Sequence, residues 1–188
     1  NFTKNNILKE TLIAYKPFLF FLARFFAVYI LATILYQYYL AQYDVAKNQV
    51  DGITKIVSTQ TVQFMNFVDG NAYAIPNTTE PCMNVFYNNK WVVRIIEGCN
   101  AVSVLILFIS FIIAFRGKII NTFAFICLGS VLIYIVNIIR IACLSISIYY
   151  YPAYQDFLHG IVFPLIIYGF VFGLWVIWVN KFSNYAGK

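Results

Sequence analysis

Long apolar runs with almost no charged residues are the feature of this sequence that most restricts its fold. Four of them, 17–40, 99–115, 119–150 and 157–179, are separated by shorter polar segments. Because a helix rises about 1.5 Å per residue, about 20 residues cross a hydrocarbon core of roughly 30 Å. Only 11% of the residues are charged, against about 25% in soluble domains. The sequence therefore predicts an all-α polytopic membrane protein with about four transmembrane helices.

The polar segment 41–98 interrupts this pattern between the first and second runs. Within it, 53–68 predicts an amphipathic helix lying on the membrane surface. The residues expected on its apolar face are Ile53, Ile56, Val57, Phe64, Phe67 and Val68. Further along, 83–96 has two β-prone runs around an Asn-Asn turn, which predicts a short hairpin. We therefore expect 1–188 to form a single membrane domain that carries a small extracytoplasmic α/β insertion at 41–98, a possible lid.

The orientation follows from the positive charges, which form three clusters outside the apolar runs. These cations are Lys4, Lys9, Lys16, Arg116, Lys118, Lys181 and Lys188. Since the Lys/Arg bias sets membrane orientation, both termini are expected in the cytoplasm and the insertion outside. The cations form no basic stripe interleaved with aromatic residues, so membrane lipids and not nucleic acid are the expected contacts.

Polar residues inside or at the ends of the apolar runs are the candidates for function. Arg140 lies within the third run, where insertion scales assign a central arginine about 2.5–3.5 kcal/mol. Asn137 precedes it by one helical turn and shares its face. Since the spans alternate in direction, Cys99, Arg140 and His159 are expected at one extracytoplasmic depth.

A cysteine, a histidine and an arginine at one depth are sufficient for acyl transfer. We predict Cys99 as the nucleophile, His159 as the general acid and base, and Arg140 as the stabiliser of negative charge. Cys99 is expected to open a helix, whose N-terminus lowers a thiol pKa, and Asp156 to cap the helix that bears His159. No CxxC or CxxH spacing occurs, so neither a metal nor an organic cofactor is predicted.

Each of these residues also has an ordinary interpretation. A cysteine in an apolar helix is usually a small hydrophobic residue, and a histidine at a membrane boundary often has no catalytic role. An intramembrane arginine can simply pair with a carboxylate. Cys82 and Cys99 are expected on the same oxidising side, where a disulfide between them would remove the nucleophile. The residues alone leave these alternatives open.

Three blocks of the sequence resemble the exosortase/archaeosortase family of membrane cysteine transpeptidases. Residues 97–101 (EGCNA) match its acidic residue two positions before the cysteine, 137–141 (NIIRI) match its Asn-x-x-Arg-Ile block, and 159–160 (HG) match its histidine at the start of a later span. Typical members have Ser-Gly or Ala-Gly after the cysteine, where this chain has Asn100 and Ala101. The chain looks like a short, minimal bacterial member of that family.

The resemblance implies a protein-sorting reaction catalysed by Cys99, Arg140 and His159. Three further positions are expected to support them: Glu97, Asn100 and Asn137. Substrates of such enzymes are exported proteins with a C-terminal signal made of a short motif, a membrane span and a basic tail. The cysteine holds the cleaved protein as a thioester and the protein is then transferred to a surface anchor. The implied location is the bacterial inner membrane, with the site facing the extracytoplasmic side.

A non-catalytic membrane assembly or scaffold protein is the main alternative. It would use Arg140 and Asn137 to hold helices together and would tolerate the loss of Cys99. A small transporter with Arg140 as an anion site is less favoured, since the paired broken helices typical of transporters are not visible in the sequence.

Overall fold

The chain is mostly helical, with a small antiparallel sheet inside the 41–98 insertion. A computed structural model describes residues 2–68, 70–115 and 117–183, and within them the side chains from residue 15 onward except residue 45. The cations Arg116 and Lys188, and the side chains of Lys4 and Lys9, lie outside this description. The elements are α1 (Phe2–Leu40), α2 (Gly52–Val68), β1 (Ala72–Pro76), β2 (Met83–Tyr87), β3 (Lys90–Ile95), α3 (Val102–Ala114), α4 (Ile119–Tyr150), α5 (Gln155–Phe157) and α6 (Phe163–Lys181).

Three helical segments are long and apolar enough to cross a membrane, namely Tyr15–Leu40, Ile119–Tyr150 and Pro152–Lys181. Large apolar side chains such as Leu35 and Leu165 are exposed on their outer surfaces. A surface of this kind is stable against lipid tails and not against water. The membrane character predicted from the sequence agrees with this architecture.

The second predicted run, 99–115, forms a shorter helix than expected. Its helical part, α3, has 13 residues, which is about 20 Å of helix and less than a roughly 30 Å hydrocarbon core. The helix cannot extend backwards because Ala101 adopts a left-handed conformation, with φ of 69°. The four predicted spans therefore correspond to three long helices and one short one.

Aromatic side chains fill the end of the bundle away from the sheet, between α3, α4 and α6. Phe108 and Trp178 are fully buried there. The Trp178 indole N–H donates to the Phe115 carbonyl at 3.3 Å, and Gly117 and Ser183 form a β-bridge. These contacts join the C-terminal ends of α3 and α6 and so fix the position of one helix along the other.

The insertion packs on the end of α4 that is opposite the aromatic cluster. The buried face of α2 consists of Thr54, Val57, Ser58, Thr61 and Met65, and the helix contacts α4, β1 and β2. Of the six residues predicted for the apolar face, Val57 is buried and Ile53 and Phe64 pack against the core. The other three, Ile56, Phe67 and Val68, are exposed on the outer surface. Small hydroxyl residues form the contact face because they allow close approach and bond within the helix, as Ser58 does to the Thr54 carbonyl at 2.8 Å.

The predicted hairpin is confirmed and gains a third strand. β2 and β3 pair around Asn88 and Asn89, whose φ values of 49° and 62° are typical of a two-residue type I′ turn. The sequence analysis missed β1, which pairs antiparallel with β2 and ends at Pro76. The sheet order β1-β2-β3 leaves β3 at one edge.

The contact between α3 and α4 depends on Gly129, which lies against the Phe108 ring. A Cβ at this position would lie closer to that buried ring than van der Waals contact permits. We expect Gly129→Ala to lower the free energy of unfolding by about 1–3 kcal/mol. Thermal unfolding in detergent measures the effect.

The matched control is Gly169→Ala on α6, where a Cβ meets nothing within 4 Å. Alanine should be neutral or slightly stabilising there, because it favours a helix more than glycine does. Equal unfolding midpoints for the two variants would contradict the close packing at Gly129.

Candidate active site

A groove at the sheet end of the bundle contains two of the three predicted catalytic residues. Its volume is about 650 Å³, and Cys99 and His159 both line it. One wall is formed by residues 91–94 and 96, and the other by Ile148, Gln155, Asp156, His159 and Gly160. A volume of this size lies within the range of small-molecule and peptide pockets.

Cys99 and His159 reach the same height although 60 positions separate them in the sequence. Asn137, which contacts Cys99, lies about 27 Å along α4 from Ile119, by helical rise. Trp178 lies at the opposite end of the bundle, and His159 is about 28 Å from it along the helix, again by helical rise. The shared depth predicted from alternating helix directions is therefore present in the fold.

Cys99 lies in a tight turn before α3. Residues Glu97–Cys99 form one turn of 3-10 helix, in which the Cys99 N–H donates to the Ile96 carbonyl at 2.9 Å. α3 itself begins at Val102, so the expectation that Cys99 opens the helix is wrong. Asn100 and the left-handed Ala101 separate Cys99 from the first residue of α3.

Asn100, predicted as a supporting residue, is fully buried and fixes the position of this turn. Its Nδ2 donates to the Tyr36 hydroxyl at 2.8 Å and to Thr54 Oγ1 at 3.3 Å, and its Oδ1 accepts from the Val102 N–H at 3.0 Å. Tyr36 belongs to α1 and Thr54 to α2. One side chain therefore connects α1, α2 and α3 immediately after the cysteine.

Asn137 fixes the turn from the opposite side. Its buried Nδ2 donates to the Cys99 carbonyl at 2.9 Å. Loss of one partner in such a buried bond costs about 1–3 kcal/mol, so Asn137 holds Cys99 against α4. This contact connects α4 to the cysteine turn.

Arg140 lies one helical turn further along the same face of α4, and it does not line the groove. It is half-buried, and its Nε is buried with no hydrogen-bond acceptor among the residues that the structure describes. Within the same residues it forms no ion pair with a carboxylate. An unpaired buried N–H costs about 1–3 kcal/mol, and this Nε is a donor without an acceptor one turn beyond Asn137.

His159 is exposed and lies in a π-helical turn, Leu158–Val162. Pro164 near the start of α6 explains the irregularity, because proline has no N–H for the Gly160 carbonyl. Widened turns of this kind occur frequently at functional sites.

Asp156 lies inside α5 and makes no capping bond, so its predicted role as a helix cap is wrong. It lines the groove with His159 instead.

Glu97 does not share the groove with Cys99. It lines a separate cavity of about 380 Å³ together with Asp51 and Gln37. Since the chain turns between residues 97 and 99, the two side chains lie on different sides of the turn. None of the three predicted supporting residues lines the groove, but Asn100 and Asn137 bond to the cysteine turn or its neighbours, whereas Glu97 lines the other cavity.

All four cysteines are free, so the disulfide considered between Cys82 and Cys99 is not formed. Cys82 is fully buried at the start of the sheet. Burial raises the pKa of the Cys82 thiol, and the charge of Glu80 raises it further. Cys82 is therefore a protonated thiol at neutral pH, whereas Cys99 is half-buried beside a groove.

The sequence analysis missed the sheet wall of the groove. Trp91, Arg94 and Ile96 are exposed and line it, and Arg94 forms an ion pair with Glu80. The strand itself was predicted, but its proximity to residues 155–160 depends on how the insertion packs against α4. No local pattern in the sequence encodes that contact.

Ala101 provides a test of the strained turn. A left-handed conformation costs a non-glycine residue roughly 1–2 kcal/mol, and the side chain is buried. We expect Ala101→Gly to preserve or raise the unfolding midpoint, and Ala101→Val to lower stability by about 1–3 kcal/mol because a β-branched residue resists this conformation. Ala124→Val, at an exposed position within α4, is the control and should have little effect. A tolerated valine at position 101 would contradict the turn geometry.

No protein-family model, curated protein or solved structure matches this chain. Function must therefore be inferred from the groove, the residues that line it, and the sequence blocks that contain them.

Proposed function

We propose that the chain is a membrane cysteine transpeptidase or protease of the exosortase/archaeosortase type. The observation that carries this proposal is the groove shared by Cys99 and His159 at one end of a membrane-type helical bundle. The substrates would be exported proteins with a C-terminal sorting signal, cut near the motif where the signal leaves the membrane. In this proposal the chain has four spans, counting α3, and cytoplasmic termini in the bacterial inner membrane.

The proposed reaction begins when Cys99 transfers its proton to His159 and the thiolate attacks the scissile carbonyl. A tetrahedral oxyanion forms, and the peptide C–N bond breaks as His159 returns the proton to the leaving amine. The product is a thioester on Cys99. An amine, a hydroxyl or water then attacks the thioester, loses its proton to His159 and releases the thiol. Nothing in the arrangement of residues selects between these acceptors.

Arg140 is the proposed stabiliser of the oxyanion or thiolate. Its unpaired Nε and its position one turn beyond Asn137 support this role, because a donor held without a partner is ready for charge that develops during reaction. A displacement of the turn or of the guanidinium would have to bring the two together, since Arg140 does not line the groove.

The left-handed Ala101 also supports the proposal. Members of the family commonly have glycine at this position, and glycine adopts positive φ without steric cost. The same turn conformation with Ala101 is therefore compatible with the family's cysteine block, in spite of the sequence difference.

The scaffold alternative is favoured by one observation, the bond from Asn137 to the Cys99 carbonyl. This bond connects two elements of the bundle and needs no chemistry at the thiol. A scaffold would require Asn137 and remain unaffected by Cys99→Ser, whereas the proposed enzyme would lose its activity in that variant.

Alkylation of Cys99 by iodoacetamide at pH 7, measured in membranes by mass spectrometry, tests the catalytic proposal. We expect His159→Ala and Arg140→Lys to slow the reaction by roughly tenfold or more, because both remove support for the thiolate. Cys82 should react most slowly in all proteins, since its thiol pKa is raised by burial. An unchanged rate at Cys99 in His159→Ala would refute the proposal.

Tyr154→Ala is the matched control for this measurement, because Tyr154 is an exposed aromatic residue near the groove and does not line it. Its alkylation rate should equal that of the wild type. Unfolding midpoints of the wild type and the three variants distinguish a loss of thiol activation from a loss of folded structure. Lysine is used at position 140 because it retains the positive charge and so disturbs the fold less than alanine would.

The proposed orientation is tested with a membrane-impermeant maleimide and a variant that retains Cys99 as its single cysteine. Labelling is expected in intact cells and not in sealed inverted vesicles, since the proposed orientation, taken from the Lys/Arg bias, has the groove outside. A cysteine introduced by Lys181→Cys at the end of α6 should show the opposite pattern. Labelling of Cys99 from the cytoplasmic side alone would reverse the assigned topology.

A further inference from the structure

The outer edge of β3 is open. β3 pairs with β2 on one side, and no other backbone hydrogen bond reaches it from the residues that the structure describes. An open edge presents a row of unpaired N–H and C=O groups, which natural proteins normally protect because another chain can pair with them.

The opposite edge of the same sheet is protected. At the start of β1, the Asn66 side chain accepts from the Ala72 N–H at 2.6 Å and donates to the Ala72 carbonyl at 2.9 Å. At its other end, Pro76 has no N–H to offer. β3 has a bulge and the charged residues Lys90 and Arg94, but among the described residues no side chain caps its outer main-chain groups as Asn66 caps those of β1.

The groove follows the open edge of β3 and not one of its faces. Consecutive residues, 91–94, line the groove, and these include the buried Val92 and Val93 as well as the exposed Trp91 and Arg94. A β-bulge at Val92 interrupts the alternation of side chains in this stretch, and Val92 and Val93 are both buried. The exposed Trp91 and Arg94 and the buried Val92 and Val93 all line the groove, so it runs along the edge of the strand and not over one face.

We propose that the groove binds an extended peptide as a fourth strand added to β3. The strand would lie between β3 and the wall formed by Ile148 and Asp156, with its scissile carbonyl near Cys99 and His159. This inference rests on the proposed function and names its mode of substrate recognition. Main-chain pairing would supply affinity for many sequences, and alternate side chains would meet the apolar and charged walls of the groove.

A set of peptide chloromethyl ketones tests the proposal. The parent probe is an acetylated tetrapeptide of alternating alanine and valine, and four isomers each carry one backbone N-methyl group. The thiolate of Cys99 displaces chloride and forms a thioether, and the thiol proton passes to His159. The second-order rate of Cys99 labelling in membranes is measured for each probe, with Cys99→Ser as the blank and iodoacetamide as the small control reagent.

N-methylation removes a donor and blocks pairing only where the N–H faces β3. Strand addition therefore predicts that methylation at alternate positions slows labelling by about tenfold or more, while the intervening positions change it less than about threefold. Five equal rates, or failure of the parent probe to label a Cys99 that iodoacetamide does label, would overturn the proposal.

The failures of the two proposals are distinguishable. If iodoacetamide labelling depends on His159 but the peptide series shows no alternation, the catalytic assignment stands and strand addition is wrong. If labelling is independent of His159 but the alternation is present, the groove binds a strand without an activated thiol. If neither reagent labels Cys99, both proposals fail.

Discussion

The buried side chain of Asn100 is the contact on which the rest of this architecture depends. It follows the cysteine directly, and its amide bonds to α1, to α2 and to the first N–H of α3. A buried amide must satisfy its donors and acceptor, so the three helices can meet here in only one arrangement. This arrangement fixes both the short start of α3 and the place where the insertion joins the bundle. The cysteine turn is thus held by the protein core although it borders an open groove.

The sequence predicted what local patterns determine, and the structure adds what packing determines. Apolar runs and charge clusters indicated the membrane helices, and the Asn88-Asn89 turn indicated the hairpin. The start of α3 was misplaced because the left-handed Ala101 depends on tertiary contacts of Asn100 and not on helix propensity. On α2 the hydrophobic pattern indicated Val57, which is buried, but not the small hydroxyl residues Thr54, Ser58 and Thr61, which are buried beside it.

Within the candidate site, the sequence placed Cys99 and His159 together through topology alone, because antiparallel spans bring distant positions to one depth. It could not place Glu97, since a one-turn change in chain direction sends neighbouring side chains to different cavities. It also could not show that Arg140 lacks a carboxylate partner among the described residues. That observation weakens the structural interpretation of Arg140, because a buried arginine that only stabilises a fold is expected to have its charge paired.

The two edges of the sheet, β1 and β3, differ in how their main-chain groups are protected. A three-stranded sheet needs protection at both edges to remain monomeric, and β1 obtains it from Asn66 and Pro76. β3 has only a bulge and two cations, Lys90 and Arg94, and among the described residues no side chain caps its outer main-chain groups. Four residues, Gln155, Asp156, His159 and Gly160, line the groove on its other side. An extended segment paired with β3, as proposed, would therefore lie in the groove that also contains Cys99.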